Sequence, residues 1–131
     1  MSEEGLQISW RQLREFSGVN LSQSYILSWH LQGEVLMIDI DLCLESEHPF
    51  YEAPLPAESA CIRPAVIEFR YCTHVGLNGA ALMKPSEIMG EIAVGAIHDL
   101  RARVNGCYEM RGEFGTVLIN AEQPILRLKG P

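Results

Sequence analysis

Asp39 and Asp41 are the residues of this chain best placed by spacing to do chemistry. If the segment around them is extended, both side chains leave the same face about 7 Å apart, because a strand rises ~3.3 Å per residue. At that spacing they could share a divalent cation or divide acid and base roles, as in a metal-dependent enzyme. His30, on the segment expected to pair with them, would complete a metal-binding trio. Alternating acids are equally what the solvated face of a strand looks like, and polar cross-strand pairs commonly decorate such a face. The four histidines, at 30, 48, 74 and 98, form no HxH, HxxE or HExxH pattern.

The other chemistry-bearing residues point less clearly to a reaction. Cys43, Cys61, Cys72 and Cys107 make neither a CxxC nor a zinc spacing. Cys43 and Cys72 fall on the less apolar faces of their strands, but nothing nearby in sequence lowers a thiol pKa. There is no GxSxG elbow, no GxGxxG and no Walker lysine. These motifs therefore assign no catalytic residue, no metal ligand and no cofactor.

A contact surface is better supported. His48, Phe50, Tyr51 and Glu52 lie in a stretch, residues 46–59, that carries prolines at 49, 54 and 56. Proline removes ladder donors and biases its predecessor to extended backbone, so this is a long loop with polyproline II character. Long loops often carry function, and an aromatic pair beside charges suits a contact. The competing explanation is a structural strap whose aromatics cap the core, and Phe50, Tyr51 and Leu55 are expected to lie against the body of the protein. Arg101 and Arg103 share one solvent face and could meet an acidic ligand, or pair with acids on the neighbouring strand, such as Glu109.

The elements that must position these residues centre on GEVLMIDIDLCLE, residues 33–45. Leu36, Ile38, Ile40, Leu42 and Leu44 alternate with Met37, Asp39, Asp41, Cys43 and Glu45, which is the period of a half-buried strand. Residues 24–31 read as a second strand, with Tyr25, Leu27, Trp29 and Leu31 on one face and Ile26, Ser28 and His30 on the other. The turn around Gly33 makes the two a hairpin. Further strands are expected at 65–75, 97–104, 107–113, 115–121 and 125–129, with Asn105-Gly106 as a type I′ turn between the strands at 97–104 and 107–113. Ser9 and Gln12 form a capping box for a short N-terminal helix, which Gly18 stops and which could cover an open sheet edge. Seven short strands with turn signals between them predict a mainly β chain, an antiparallel sandwich or partly open barrel with one short N-terminal helix.

Composition bounds the rest. The 131 residues suit a single domain, with residues 1–7 as a flexible tail. Seventeen acids against ten bases give a net charge of −7, which disfavours nucleic-acid binding and is compatible with a basic protein partner. The start MSEEGLQ has no secretory pattern and no stretch approaches a membrane span, so a cytoplasmic protein with reduced thiols is expected. Self-association through an edge strand is left open.

Taken together, SYILSWHLQGEVLMIDIDL near the start and FGTVLINAEQPILRL near the end resemble small uncharacterised single-domain bacterial β proteins, some of them similar to immunity proteins of toxin systems. That resemblance implies a cytosolic, non-enzymatic interaction module that could neutralise a basic partner. A small-ligand-binding sandwich or barrel is the alternative, with Tyr25, Trp29, Phe69, Tyr71 and Tyr108 as its aromatic supply.

Overall fold

The computed structural model describes residues 7–103 and 106–129. Nine strands lie among them: β1 (Ile8–Ser9), β2 (Val19–Gln32), β3 (Val35–Leu44), β4 (Cys61–Phe69), β5 (His74–Leu77), β6 (Gly95–Ala102), β7 (Cys107–Gly112), β8 (Gly115–Asn120) and β9 (Ile125–Leu128). One short α-helix, α1 (Pro85–Ile88), follows β5. All strand pairs are antiparallel, and they join into one sheet ordered β5-β8-β7-β6-β2-β3-β4-β9, with β1 on β6. The antiparallel, mainly β architecture expected from the alternation is therefore present, as one open sheet rather than a closed barrel.

The sheet rolls over on itself. Four strand-to-strand steps separate β4 from β7, which in a flat sheet would place them roughly 19 Å apart. Yet the rings of Phe69 on β4 and Tyr108 on β7 have centroids 5.3 Å apart. The driving force is burial: Leu36, Ile38, Ile40 and Leu42 of β3 lose all solvent contact in a core shared with Leu100, Met110, Val117 and Ile119 from the far half. Backbone hydrogen bonds close the ends of the roll, from Thr73 N–H to the Asn120 carbonyl and from Glu122 N–H to the Arg70 carbonyl, both 2.9 Å.

Bulges let the roll form. In β2, Ile26 pairs with Ile40 but Ser28 with Asp39, so Leu27 is extra. The inserted residue puts Ile26 and Trp29 both into the core and leaves Tyr25 and Leu27 exposed. The expected grouping of Tyr25 and Leu27 with Trp29 is thus broken, because period two holds only while the ladder is regular. A shift between Ile97 and Asp99 in β6 likewise turns both Ile97 and Leu100 inward. A larger irregularity separates Asn20 from Tyr25 on β2. There the buried Ser24 hydroxyl donates to the Asn20 carbonyl at 2.9 Å and accepts from Cys43 N–H at 3.0 Å, tying β2 to β3 across the irregularity.

Other expectations need refining. The strand expected over 65–75 is two: β4 ends at Phe69, and a turn through Tyr71, at φ 52°, redirects the chain into β5. Pro64, expected at a strand start, sits inside β4. Its carbonyl accepts from Lys129 N–H, so its missing donor faces the end of β9, where no further ladder is needed. The Ser9 capping box is present, but the N-terminal helical segment is two 3-10 turns, Trp10–Gln12 and Arg14–Phe16, with Leu13 extended between them. These turns bury Trp10 and Phe16. The expected hairpin after Ala102 is formed by β6 and β7; Asn105 lies outside the described residues, and Gly106 has a φ of 71°. Residues 1–6 of the expected tail are likewise outside them.

Candidate functional site

On the outward face of β3, the β2 bulge and the β4–β9 ladder converge on Asp39. One carboxylate oxygen accepts from the Ser28 hydroxyl at 2.8 Å and lies 3.5 Å from His30 Nδ1. The other pairs with Lys129 Nζ at 2.7 Å, reaching across β4. Burial alone would push the Asp39 carboxyl up, but the hydrogen bonds from Lys129 and Ser28 and the neighbouring positive charges outweigh it and hold it below its ordinary value. His30 does meet Asp39, as the hairpin suggested. Asp41, opposite Tyr25 on one side and Pro64 on the other, does not join the group. Among the described residues no three His, Cys, Asp or Glu side chains gather around a common ion position. Asp39 is thus the centre of a cross-strand polar network, its two oxygens taken up by Ser28 and Lys129.

The loop between β3 and β4 is braced from several sides. Gly18, at φ 76°, brings its carbonyl to Glu45 N–H at 2.9 Å. A Cβ on Gly18 would sit 3.0 Å from His48 Cα, so the close approach needs glycine as much as the φ does. His48 N–H donates to the Glu45 carbonyl and Tyr51 N–H to the His48 carbonyl. The His48 ring then accepts at Nδ1 from Phe50 N–H at 3.0 Å. Burial lowers the His48 pKa, which favours the neutral ring that this bond requires. Further on, Glu58 N–H donates to the Leu55 carbonyl while the Glu58 carboxylate accepts from Leu55 N–H, a turn closed from both sides.

These braces hold the large apolar side chains in different ways. Tyr51 packs partly buried against the core, as a strap would. Phe50 and Leu55 do not: they stay 65% and 67% exposed, against the expectation that the whole loop would fold down. Around them stand Glu45, Glu47, Glu52 and Glu58, with no lysine or arginine between residues 45 and 62. Beneath Phe50 and Tyr51 runs a groove of about 580 Å³, whose far wall is Arg63 and Pro64 of β4 with Leu128 and Lys129. Glu52 faces Arg63 across it at 3.8 Å. Lys129 therefore belongs to both places, lining the groove and bonding Asp39, and it links the two candidate surfaces into one side of the molecule.

Of the expected contact residues, His48, Phe50, Tyr51 and Glu52 come together, and Asp39 lies one lysine away. Arg63 and Lys129 were not legible as site residues, since nothing in the sequence says that β9 would lie beside β4. Arg103 faces the buried Glu109 of β7 at 3.7 Å, a cross-strand pair of the expected kind, whereas Arg101 bonds Asp99 of its own strand β6 at 2.7 Å. All four cysteines are free thiols. Burial pushes the Cys72 thiol up to about 11 and, with Glu45 and Cys61 nearby, raises Cys43, which leaves both in the unreactive protonated form.

Comparison with models of known families, with curated proteins and with solved structures gave no match. Fold and geometry define a class: an open, rolled antiparallel β sheet that presents a braced, acidic, aromatic loop. No helix among the described residues is long and apolar enough to cross a membrane.

Proposed function

We propose that this chain is a non-catalytic interaction module that captures a basic protein through its β3–β4 loop, in the manner of an immunity protein that neutralises a toxin. The observation that carries this reading is the exposure of Phe50 and Leu55 on a loop whose backbone is already braced and whose charged residues are all glutamates. Large apolar side chains held out of the core are poor structure and good anchors, because an aromatic or aliphatic knob in a partner's pocket supplies most of an interface's energy. Bracing lowers the ordering cost on binding. The surrounding acids would steer a basic partner and exclude an acidic one, an effect screened within ~8 Å at physiological ionic strength. Four free thiols fit a reducing compartment, and so a cytoplasmic site of action.

The test is affinity capture from the source cells with three baits: the native chain, Phe50→Ser with Leu55→Ser, and Glu47→Gln with Glu52→Gln. A basic protein held stoichiometrically by the native chain, released by salt and lost by the first variant supports the reading. Equal capture by all three baits, or no stoichiometric partner, removes it.

A further inference from the structure

A second cavity, of about 530 Å³, opens at the opposite end of β3 from the loop. Three segments meet around it: the β2–β3 hairpin with Leu31 and Glu34, the β4–β5 turn with Tyr71 and Thr73, and the start of α1 with Lys84 and Ser86. Backbone hydrogen bonds fix them to one another. Cys72 N–H donates to the Glu34 carbonyl at 2.9 Å, and Val75 and Met83 exchange N–H···O bonds of 2.8 and 2.9 Å just before Lys84. The cavity is therefore a built feature of the fold.

Its lining carries chemistry that the fold does not use. Glu34 and Lys84 bring opposite charges, and among the described residues neither side chain has an ion pair or hydrogen bond. The Thr73 and Ser86 hydroxyls add neutral donors and acceptors. Tyr71 is held at φ 52°, a region bulky side chains rarely occupy, while 59% of its surface stays exposed. An aromatic residue kept in strained backbone at a cavity mouth contributes little to the core, and such strain tends to collect where a ligand is met. The volume falls in the range of small-molecule sites, which are largely apolar with a few placed polar groups.

We propose that this cavity binds a small zwitterion with an apolar body, its carboxylate at Lys84, its ammonium at Glu34 and its body against Leu31 and Tyr71. A single anion or cation would leave one of the two charges without a partner. The site lies away from the loop and does not depend on the partner-capture reading.

The experiment is an amide chemical-shift titration of the full chain with L-phenylalanine, whose charges are adjacent, and glycyl-L-phenylalanine, whose charges are a peptide unit apart. Phenylacetate and phenethylamine serve as single-charge controls. Saturable shifts at Gly33, Thr73 and Ser86 with at least one zwitterion, and at least tenfold weaker binding of both controls, are expected. Glu34→Gln and Lys84→Met, both at exposed positions, should each weaken that binding about tenfold. Tyr71→Asn should weaken it while leaving the fold intact, since asparagine tolerates positive φ. No saturable shift with either zwitterion, controls that bind as well, or variants that bind unchanged would each overturn the proposal. Phe50→Ser, at the far end of the sheet, should leave the titration as it is.

Discussion

The Glu15 carboxylate accepts the Leu126 N–H at 2.9 Å, joining a 3-10 turn at the start of the chain to the edge strand β9 near its end. Lys129 N–H points from β9 inward to the Pro64 carbonyl, so Leu126, three residues earlier, turns its donor to the open side. Edge strands recruit other chains through such unpaired groups, and a side-chain acceptor placed on one blunts that tendency. Glu15→Ala should lower stability by about 1–2 kcal/mol, the cost of a hydrogen bond to a charged group. It should also increase concentration-dependent self-association in sedimentation velocity relative to the native chain. A variant whose mass distribution matches that of the native chain at every concentration would show that the edge needs no such guard.

Ser24 is the second internal device whose removal should be felt. Its hydroxyl, 1% exposed, satisfies both the Asn20 carbonyl and the Cys43 N–H inside the β2 irregularity. Ser24→Ala removes both hydrogen bonds, one of them to the buried Cys43 N–H, at an expected cost of about 1–2 kcal/mol in denaturant unfolding. The unfolding slope should not change, because the surface exposed on unfolding is the same.

Asp39 ties stability to pH. Its carboxyl is held below the ordinary value in the folded state, so the stability it contributes is fully present above the unfolded-state pKa of roughly 4 and fades as pH falls through the folded value. Asp39→Asn should cost about 1 kcal/mol at pH 7, since Lys129 is half exposed and the pair is partly screened. That gap should shrink as the pH drops below about 4. Thermal melts of both proteins from pH 3 to pH 7 measure it. A gap that stays constant with pH would show that packing, not charge, is what Asp39 supplies.

His48 should make the loop acid-sensitive. Burial lowers its pKa, so the folded state prefers the neutral ring. The stability from that preference is whole above the unfolded value of about 6.5 and is lost as pH falls toward the folded value. Protonation also removes the Nδ1 lone pair that accepts the Phe50 N–H. Amide exchange at Phe50 should therefore accelerate, relative to the intrinsic rate, as His48 titrates below pH 6.5, while exchange at Ile38 stays slow. Phe50 protection that does not follow the His48 titration would separate the brace from the ring.

Much of the framework follows from the chain alone. The alternation from Leu36 to Leu44 determined a strand buried on one face, because a period of two allows no other simple burial pattern, and all five residues lie in the core. The prolines at 49, 54 and 56 determined a loop, since they cannot sustain a ladder, and the turn residues set several hairpins. What the tertiary structure decided depends on partners distant in sequence. Bulges in β2 and β6 changed which residues face inward, because they answer to the curvature of the whole sheet rather than to local pattern. The placement of β9 beside β4 brought Lys129 both under Phe50 and to Asp39, and the rolling of the sheet set Phe69 against Tyr108. Local propensity carries no information about which strands become neighbours. That choice is made by the burial of the whole apolar set at once, and the candidate sites inherit it.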